Sequence, residues 1–317
     1  MFVEAYNDAT DLDDDGLYDV EFKPAIDYYG YFNSNVCYEY AAANNRFEAK
    51  QFTPDKKCGG NYWSGNLLNY VAMSRADVLR KSLYGGQREG KSAVLVRSRI
   101  PRDAHAWGKQ FTANLSGQGS LLDYVPSGFK LGTLAYCNDG KNSKLCIGVS
   151  GAANTIKSRL DLGHTLVFAN ADEGTTPVIK IASASSGVDI TQWVSSEENA
   201  NLNNNRFTSM VGMTAKVESC TSYDLAAAVT LGKNANCRLY GSTYKPTGLL
   251  HKYSVDNNME FALLTSIYAS PRSGAALRVG MRRFASEIDA NGDFAAGGIV
   301  KTLDALMINK PNNTAYN

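Results

Sequence analysis

The sequence predicts an α+β fold, a β-rich body with a few helices, and three observations carry that reading. Residues 92–245 break into short alternating runs separated by Gly, Asn and Ser clusters, the texture of short strands. Two other stretches repeat apolar residues at near-helical spacing. The first sixty residues, rich in Asp, Tyr and Asn, show no helical period. At 317 residues and about 150 per domain, the chain has room for roughly two domains, or one large domain with insertions. Its texture divides into 1–90, an N-terminal segment with a candidate calcium loop and an amphipathic helix; 91–245, a β-rich region with disulfides; and 246–317, a strand-turn-helix unit expected to pack with the N-terminal segment.

Each element has its own signal. Ser64 offers an N-cap, and Leu67, Leu68, Val71, Ala72, Val78, Leu79 and Leu83 follow at helical spacing until Gly85 and Gly86 stop the helix. Strand candidates follow at 93–96, 131–137, 144–149, 160–169, 178–182 and 213–217. The turn sequence Asn138, Asp139, Gly140, Lys141 makes the second and third of these a hairpin. Residues 196–205, rich in Ser, Glu and Asn, predict an exposed, protease-sensitive loop. An apolar strand candidate at 259–268 then leads through a basic turn with Arg272, Arg278, Arg282 and Arg283 to Gly297, Gly298 and an amphipathic stretch at 299–308. No internal repeat is visible.

Composition excludes several classes. Hydrophobic residues make up 44% and charged residues 20%, as in ordinary globular proteins, and a net charge of +1 argues against nucleic acid as the partner. No run approaches the roughly 20 apolar residues of a membrane span, and the first eight residues lack the basic and apolar regions of a signal peptide. Six cysteines, Cys37, Cys58, Cys137, Cys146, Cys220 and Cys237, avoid the spacings of zinc and redox motifs. Neighbours lie 21, 9 and 17 residues apart, which suggests three local disulfides among fifteen formal pairings, each contributing about 2.5 to 3.5 kcal/mol, and an oxidising, exported location.

The sharpest local constellation is Asp11-x-Asp13-x-Asp15-Gly16-x-x-Asp19, which matches positions 1, 3, 5, 6 and 9 of a calcium loop with the Leu17 carbonyl at position 7. Oxygen ligands at alternating positions can wrap a hard cation, and Gly16 permits the sharp turn. Position 12 is Phe22, where a bidentate Glu is usual, so Glu21, Asp8 or a more distant carboxylate has to complete the shell. Asp289-x-Asn291-x-Asp293 is a poorer imitation, because Gly292 falls at position 4 and Phe294 at position 6, where the glycine belongs.

Catalytic motifs are scarce. The chain has no HExxH, GxSxG or P-loop, and Gly117-x-Gly119 lacks the third glycine of a dinucleotide fingerprint. His105, between Asp103 and Trp107, is the one histidine with a carboxylate and an aromatic nearby. Arg80, Lys81 and Arg88 fit a helix end, where they complement its dipole. Tyr28, Tyr29, Tyr31, Tyr38 and Tyr40 read either as a binding face or as ordinary strand filling.

Several strings together resemble the N-terminal region of the PilC/PilY family of type IV pilus tip adhesins and assembly proteins. They run from Glu4-Ala-Tyr-Asn-Asp8 through Tyr28-Tyr-Gly-Tyr-Phe32, Cys37-Tyr-Glu-Tyr40, Trp63-Ser-Gly-Asn66, Met73-Ser-Arg-Ala-Asp-Val-Leu-Arg-Lys81 and Tyr84-Gly-Gly86. Ile100-Pro-Arg-Asp-Ala-His-Ala-Trp-Gly108, Trp193-Val-Ser-Ser196, Lys245-Pro-Thr-Gly-Leu-Leu250 and Gly297-Gly-Ile-Val-Lys-Thr-Leu-Asp-Ala-Leu306 follow in order. The resemblance implies a secreted, non-enzymatic protein exported through the periplasm to the outer membrane or pilus tip. Its implied roles are pilus assembly, surface adhesion and twitching motility. The implied partners are minor pilins or the tip complex, a host or abiotic surface, and a C-terminal β-propeller half, since family members are much longer. Some members also resemble von Willebrand factor A domains. The helix from Ser64, a strand at 261–265 and the Gly297-Gly298 helix could form a partial unit of that kind with the β-rich middle as a long insertion, although no Asp-x-Ser-x-Ser motif is present. The alternatives from other classes are a secreted hydrolase working through His105 and a self-assembling structural subunit.

Overall fold

Aromatic and apolar residues alternate along Val36–Ala41 (β1) and Arg46–Phe52 (β2), and a turn that ends on Asn45 at φ 50° folds one back on the other as an antiparallel pair. The computed structural model describes residues 4–6, 11, 16, 21–100, 107–131, 133–138, 143–148, 154–170, 176–184, 207–253, 260–269 and 272–308. At 133–138, 143–148, 207–210, 265–269, 272–276 and 306–308 the description is of backbone alone. β1 also pairs with Trp63–Ser64 (β3), while β2 accepts Lys216–Glu218 (β11) in parallel, and β11 pairs in turn with Val94–Val96 (β4). The resulting five-stranded sheet has the order β3-β1-β2-β11-β4 and draws on residues 36–64, 94–96 and 216–218.

The second sheet has six antiparallel strands in the order β5-β8-β9-β10-β6-β7: Trp107–Phe111 (β5), Thr133–Asn138 (β6), Ser143–Gly148 (β7), Thr165–Asn170 (β8), Val178–Ala184 (β9) and Phe207–Thr214 (β10). β8 and β9 are buried at every position, so both of their faces are covered. The expected hairpin at 131–149 is β6 and β7. Where a strand at 160–169 was expected, Ile156–Asp161 forms helix α3, because Thr155 and Ser158 close a capping box, and the strand begins only at Thr165.

The expected single helix after Ser64 is two, Gly65–Ala72 (α1) and Arg75–Tyr84 (α2). Met73 and Ser74 are extended between them because Ser74 caps α2: its hydroxyl accepts from Asp77 N–H while the Asp77 carboxylate accepts from Ser74 N–H. Gly85, left-handed at φ 92°, ends α2 as predicted. α1 is buried at every residue and joins the sheets in one core, where Trp63, Leu67 and Leu68 cluster with Phe47, Leu95, Phe168 and Ile181.

A second buried cluster gathers Ala76 and Tyr84 of α2, Leu250 of Leu249–Tyr253 (α5), Phe284, and Val300 and Leu303 of Ile299–Ile308 (α6). Between these lie Ser222–Leu231 (α4), the hairpin of Cys237–Tyr240 (β12) with Thr243–Pro246 (β13), and the long hairpin of Glu260–Ala269 (β14) with Arg272–Arg283 (β15). The stretch with Arg272, Arg278, Arg282 and Arg283 is therefore a strand and not a basic turn: alternating Leu277, Val279 and Met281 let it pair along nearly the whole of β14. A von Willebrand-like unit would put 261–265 among parallel strands, but that segment pairs with β15 alone and antiparallel among the described residues. Among the described residues no helix is long and apolar enough to cross a membrane.

Candidate calcium loop and its surroundings

Two asparagines of α1 organise the chain that leads from the acidic loop. Asn66 accepts from Tyr28 N–H at 3.0 Å and donates to the Ile26 carbonyl at 2.9 Å. Asn69 donates to the carbonyls of Tyr28 (2.7 Å) and Phe32 (2.8 Å) and accepts from Phe32 N–H at 3.1 Å. Gly65 is required because a Cβ there would lie 2.1 Å from the Asn33 carbonyl oxygen. Tyr28, held in this way, receives both ends of the loop: the Tyr6 ring meets it edge-on at 5.0 Å, and Phe22 stacks on it at 5.7 Å. Tyr6 also donates its hydroxyl hydrogen to the Tyr29 carbonyl. The loop thus enters and leaves on one buried ring. Phe22 is 3% exposed, so the position that departs from the calcium pattern serves the core.

Within the loop, Gly16 N–H donates to Asp11 Oδ2 at 3.0 Å, and Gly16 sits at φ +83° with open space around its Cα. Position 6 of the pattern is thereby folded back onto position 1. Asp13, Asp15, Leu17, Asp19 and Asp8 lie outside the described residues. Beside the loop ends is a cavity of about 390 Å³ lined by Glu4, Glu21, Phe22, Tyr70 and Lys109. Lys109 pairs with Glu4 at 2.6 Å, donates to the Tyr6 carbonyl at 2.6 Å and stands 4.8 Å over the Tyr70 ring, which leaves Glu21 as the exposed carboxylate there. Among the described residues no group of three or more His, Cys, Asp or Glu is arranged to hold a metal ion.

The structure joins Cys37 to Cys58 and Cys220 to Cys237, each pair with Cα atoms 5.7 Å apart. Cys137 stands opposite Lys144 and Cys146 opposite Ala135 in the backbone register of β6 and β7, and their side chains lie outside the described residues. The tyrosine cluster is divided. Tyr28, Tyr31 and Tyr38 are core residues at 1–3% exposure, Tyr40 accepts from Thr214 N–H, and only Tyr29, at 41%, offers an open face. His105 and residues 196–205 lie outside the described residues. At 289–293 the Asp289 carboxylate accepts from the backbone N–H groups of Asn291 and Asp293, and Asp293 pairs with Lys245 and Lys91, which makes this segment a self-satisfied turn.

Of the three cations near the helix end, Lys81 lies in the last turn of α2, whereas Arg80 and Arg88 are engaged in the interior. Arg80 is fully buried beside Asp77 (3.9 Å) and Asp304 (3.5 Å), and Arg88 is buried with its guanidinium donating to the carbonyls of Gly292 and Pro246 and stacked 4.3 Å from Phe294. Sequence reasoning missed this interior charge group and the cleft that Lys81 enters. The Ser74-x-x-Asp77 capping signature was the available signal for the first; the second joins residues far apart in the chain and had none.

A family model described as "PilY1 homolog, small alpha/beta domain" matches residues 19–159. A Xylella fastidiosa (strain Temecula1) protein named "Type IV pilus biogenesis factor PilY1 homolog" is 34% identical over 333 residues, which cover 95% of this chain and 20% of that protein. Another protein of the same name and organism is 33% identical over 76 residues, covering 21% of this chain and 6% of its own length. The chain spans about a fifth of the length of the first relative. No solved structure matches it.

Proposed function

From the premise that the chain belongs to the PilC/PilY family, we propose that it is a secreted, non-enzymatic component of type IV pilus biogenesis, acting at the pilus tip in assembly, surface adhesion and twitching motility. The observation that carries this reading is the 34% identity to a pilus biogenesis factor along 95% of the chain. Two disulfides support an oxidising compartment. The partners are minor pilins or the tip complex, a host or abiotic surface, and a β-propeller half, either continuous with this chain or separate. The action is recognition: sheets stapled by disulfides present exposed loops to the partner, with no bond made or broken.

Calcium belongs to this reading. Asp11, Asp13, Asp15, the Leu17 carbonyl and Asp19 would hold the ion, with Glu21 or Asp8 completing the shell, and the ion would neutralise carboxylates that otherwise repel one another. The closure from Gly16 to Asp11 supports such a loop. Removing the encoding gene from the source cells tests the wider proposal. Surface pili, attachment and twitching are expected to fall together and to return with the complementing gene, whereas normal piliation and motility in the deletion strain would overturn it.

A further inference from the structure

Away from the acidic loop, α4 and the segment 27–35 enclose a cleft of about 290 Å³, the size for one side chain or a small organic acid. Tyr29, Ala227, Ala228 and Leu231 give it apolar walls, and the Cys220–Cys237 disulfide closes its rim. Two rim residues other than glycine hold a left-handed backbone, Cys220 at φ 58° and Asn236 at φ 51°. Such conformations are costly and persist where the surrounding structure imposes them, as the disulfide does here; they collect at ligand sites.

The charges facing this cleft are unevenly paired. Asp27 pairs with Lys56 (2.9 Å) and Lys233 (2.7 Å). Asp224 accepts from Asn33 Nδ2 at 3.1 Å and from the N–H and hydroxyl of Thr221 at 2.9 Å. Lys81, reaching in from the last turn of α2, makes no hydrogen bond or ion pair among the described residues, and Asp224 is the one carboxylate whose field reaches it. Asp27 is thus taken by Lys233, which also lines the cleft, and by Lys56 outside it, which leaves Lys81 without an ion-pair partner among the described residues. Burial pushes the Lys81 ammonium pKa down, with the Asp224 charge acting against that shift, and an anion brought alongside would favour the charged form further.

We propose that this cleft binds a single carboxylate carried on an apolar stem, with the Lys81 ammonium as its ion-pair partner. Asp27 and Asp224 both line the cleft, and two carboxylates disfavour a dianion more than a monoanion, which selects a carboxylate over a phosphate. The carboxylate belongs either to a free acid or to the C-terminus of a protein chain.

The test is backbone-amide NMR of residues 219–237 in the full chain during titration with hexanoate, hexanamide, hexyl phosphate and acetyl-Gly-Ala-Leu with a free carboxyl group. Hexanoate is expected to give saturable shifts, at least about tenfold weaker in Lys81→Met, as loss of a charge-assisted contact requires. Ala228→Phe, which fills the cleft and leaves Lys81 in place, should abolish them, and hexanamide should give none. Thermal melts of both variants confirm that they fold. The peptide binding more tightly than hexanoate points to a protein C-terminus, the reverse points to a free acid, and both support the site. Affinity unchanged in Lys81→Met, hexyl phosphate binding more tightly than hexanoate, or no saturable shift at millimolar hexanoate would overturn the proposal.

Discussion

Asn69, fully buried on α1, satisfies three backbone groups of the segment that carries the acidic loop's exit. Asn69→Leu keeps the volume and strands two carbonyls and one N–H away from water, at about 1–3 kcal/mol each. Urea unfolding of that variant should show a loss of about 3 kcal/mol or more, and a loss under about 1 kcal/mol would mean that water replaces the side chain. His251 acts through pH. It is buried against Phe284 and Phe294, and its Nδ1 accepts from Gly248 N–H, so the ring is held neutral and burial pushes its pKa down to about 3. The unfolded chain, with its histidine near the ordinary value of about 6.5, takes up the proton first as pH falls. The stabilisation is therefore complete above about pH 6.5 and is lost progressively toward pH 3. It amounts to about 3–5 kcal/mol by the linkage relation. His251→Asn, whose Oδ1 can still accept from Gly248, should unfold with a shallower pH dependence in that window, as measured by denaturation midpoints from pH 7 to 4.

Among the elements, α4 and the turn after it depend on the Cys220–Cys237 link. Closing a loop of 17 residues' separation contributes about 3 kcal/mol on the chain-entropy model. The double variant Cys220→Ala with Cys237→Ala should lose about that much stability and show faster amide exchange across 219–237; protection equal to the parent's would show that helix packing alone holds the segment. The sequence was most legible where local signals and tertiary packing agree. β4, β9, the hairpin of β6 with β7 and the αL stop at Gly85 follow directly from alternation and turn residues. It was least legible where one side chain redirects the backbone. The apolar period runs unbroken through Met73 and Ser74, yet the Ser74–Asp77 cap divides the helix. α4, with three consecutive alanines, has little amphipathic contrast and was absorbed into the β-rich reading, although Thr221 and Asp224 form a capping box that announces it. The buried Arg80 was read as a helix-end cation complementing the dipole because its partner Asp304 lies 224 residues away in the chain, beyond any local pattern.

For the whole molecule, the pinning of both loop ends on Tyr28 means that calcium at residues 11–19 would stiffen a segment anchored in the main core. An ion bound by the folded state alone adds about 2.7 kcal/mol at a hundredfold excess over Kd. Chelation should therefore lower the melting temperature and speed proteolysis near residue 20, and Asp11→Ala should remove both effects; identical melts with and without chelator would exclude the ion. The role in pili rests on shared family and not on a visible reaction centre, so its most direct test is where the chain is found. Peptide mass spectrometry of pili sheared from the source cells should recover peptides of this chain enriched with the pilus fraction. Their absence from sheared pili, with abundance elsewhere in the secreted fraction, would contradict the proposed role.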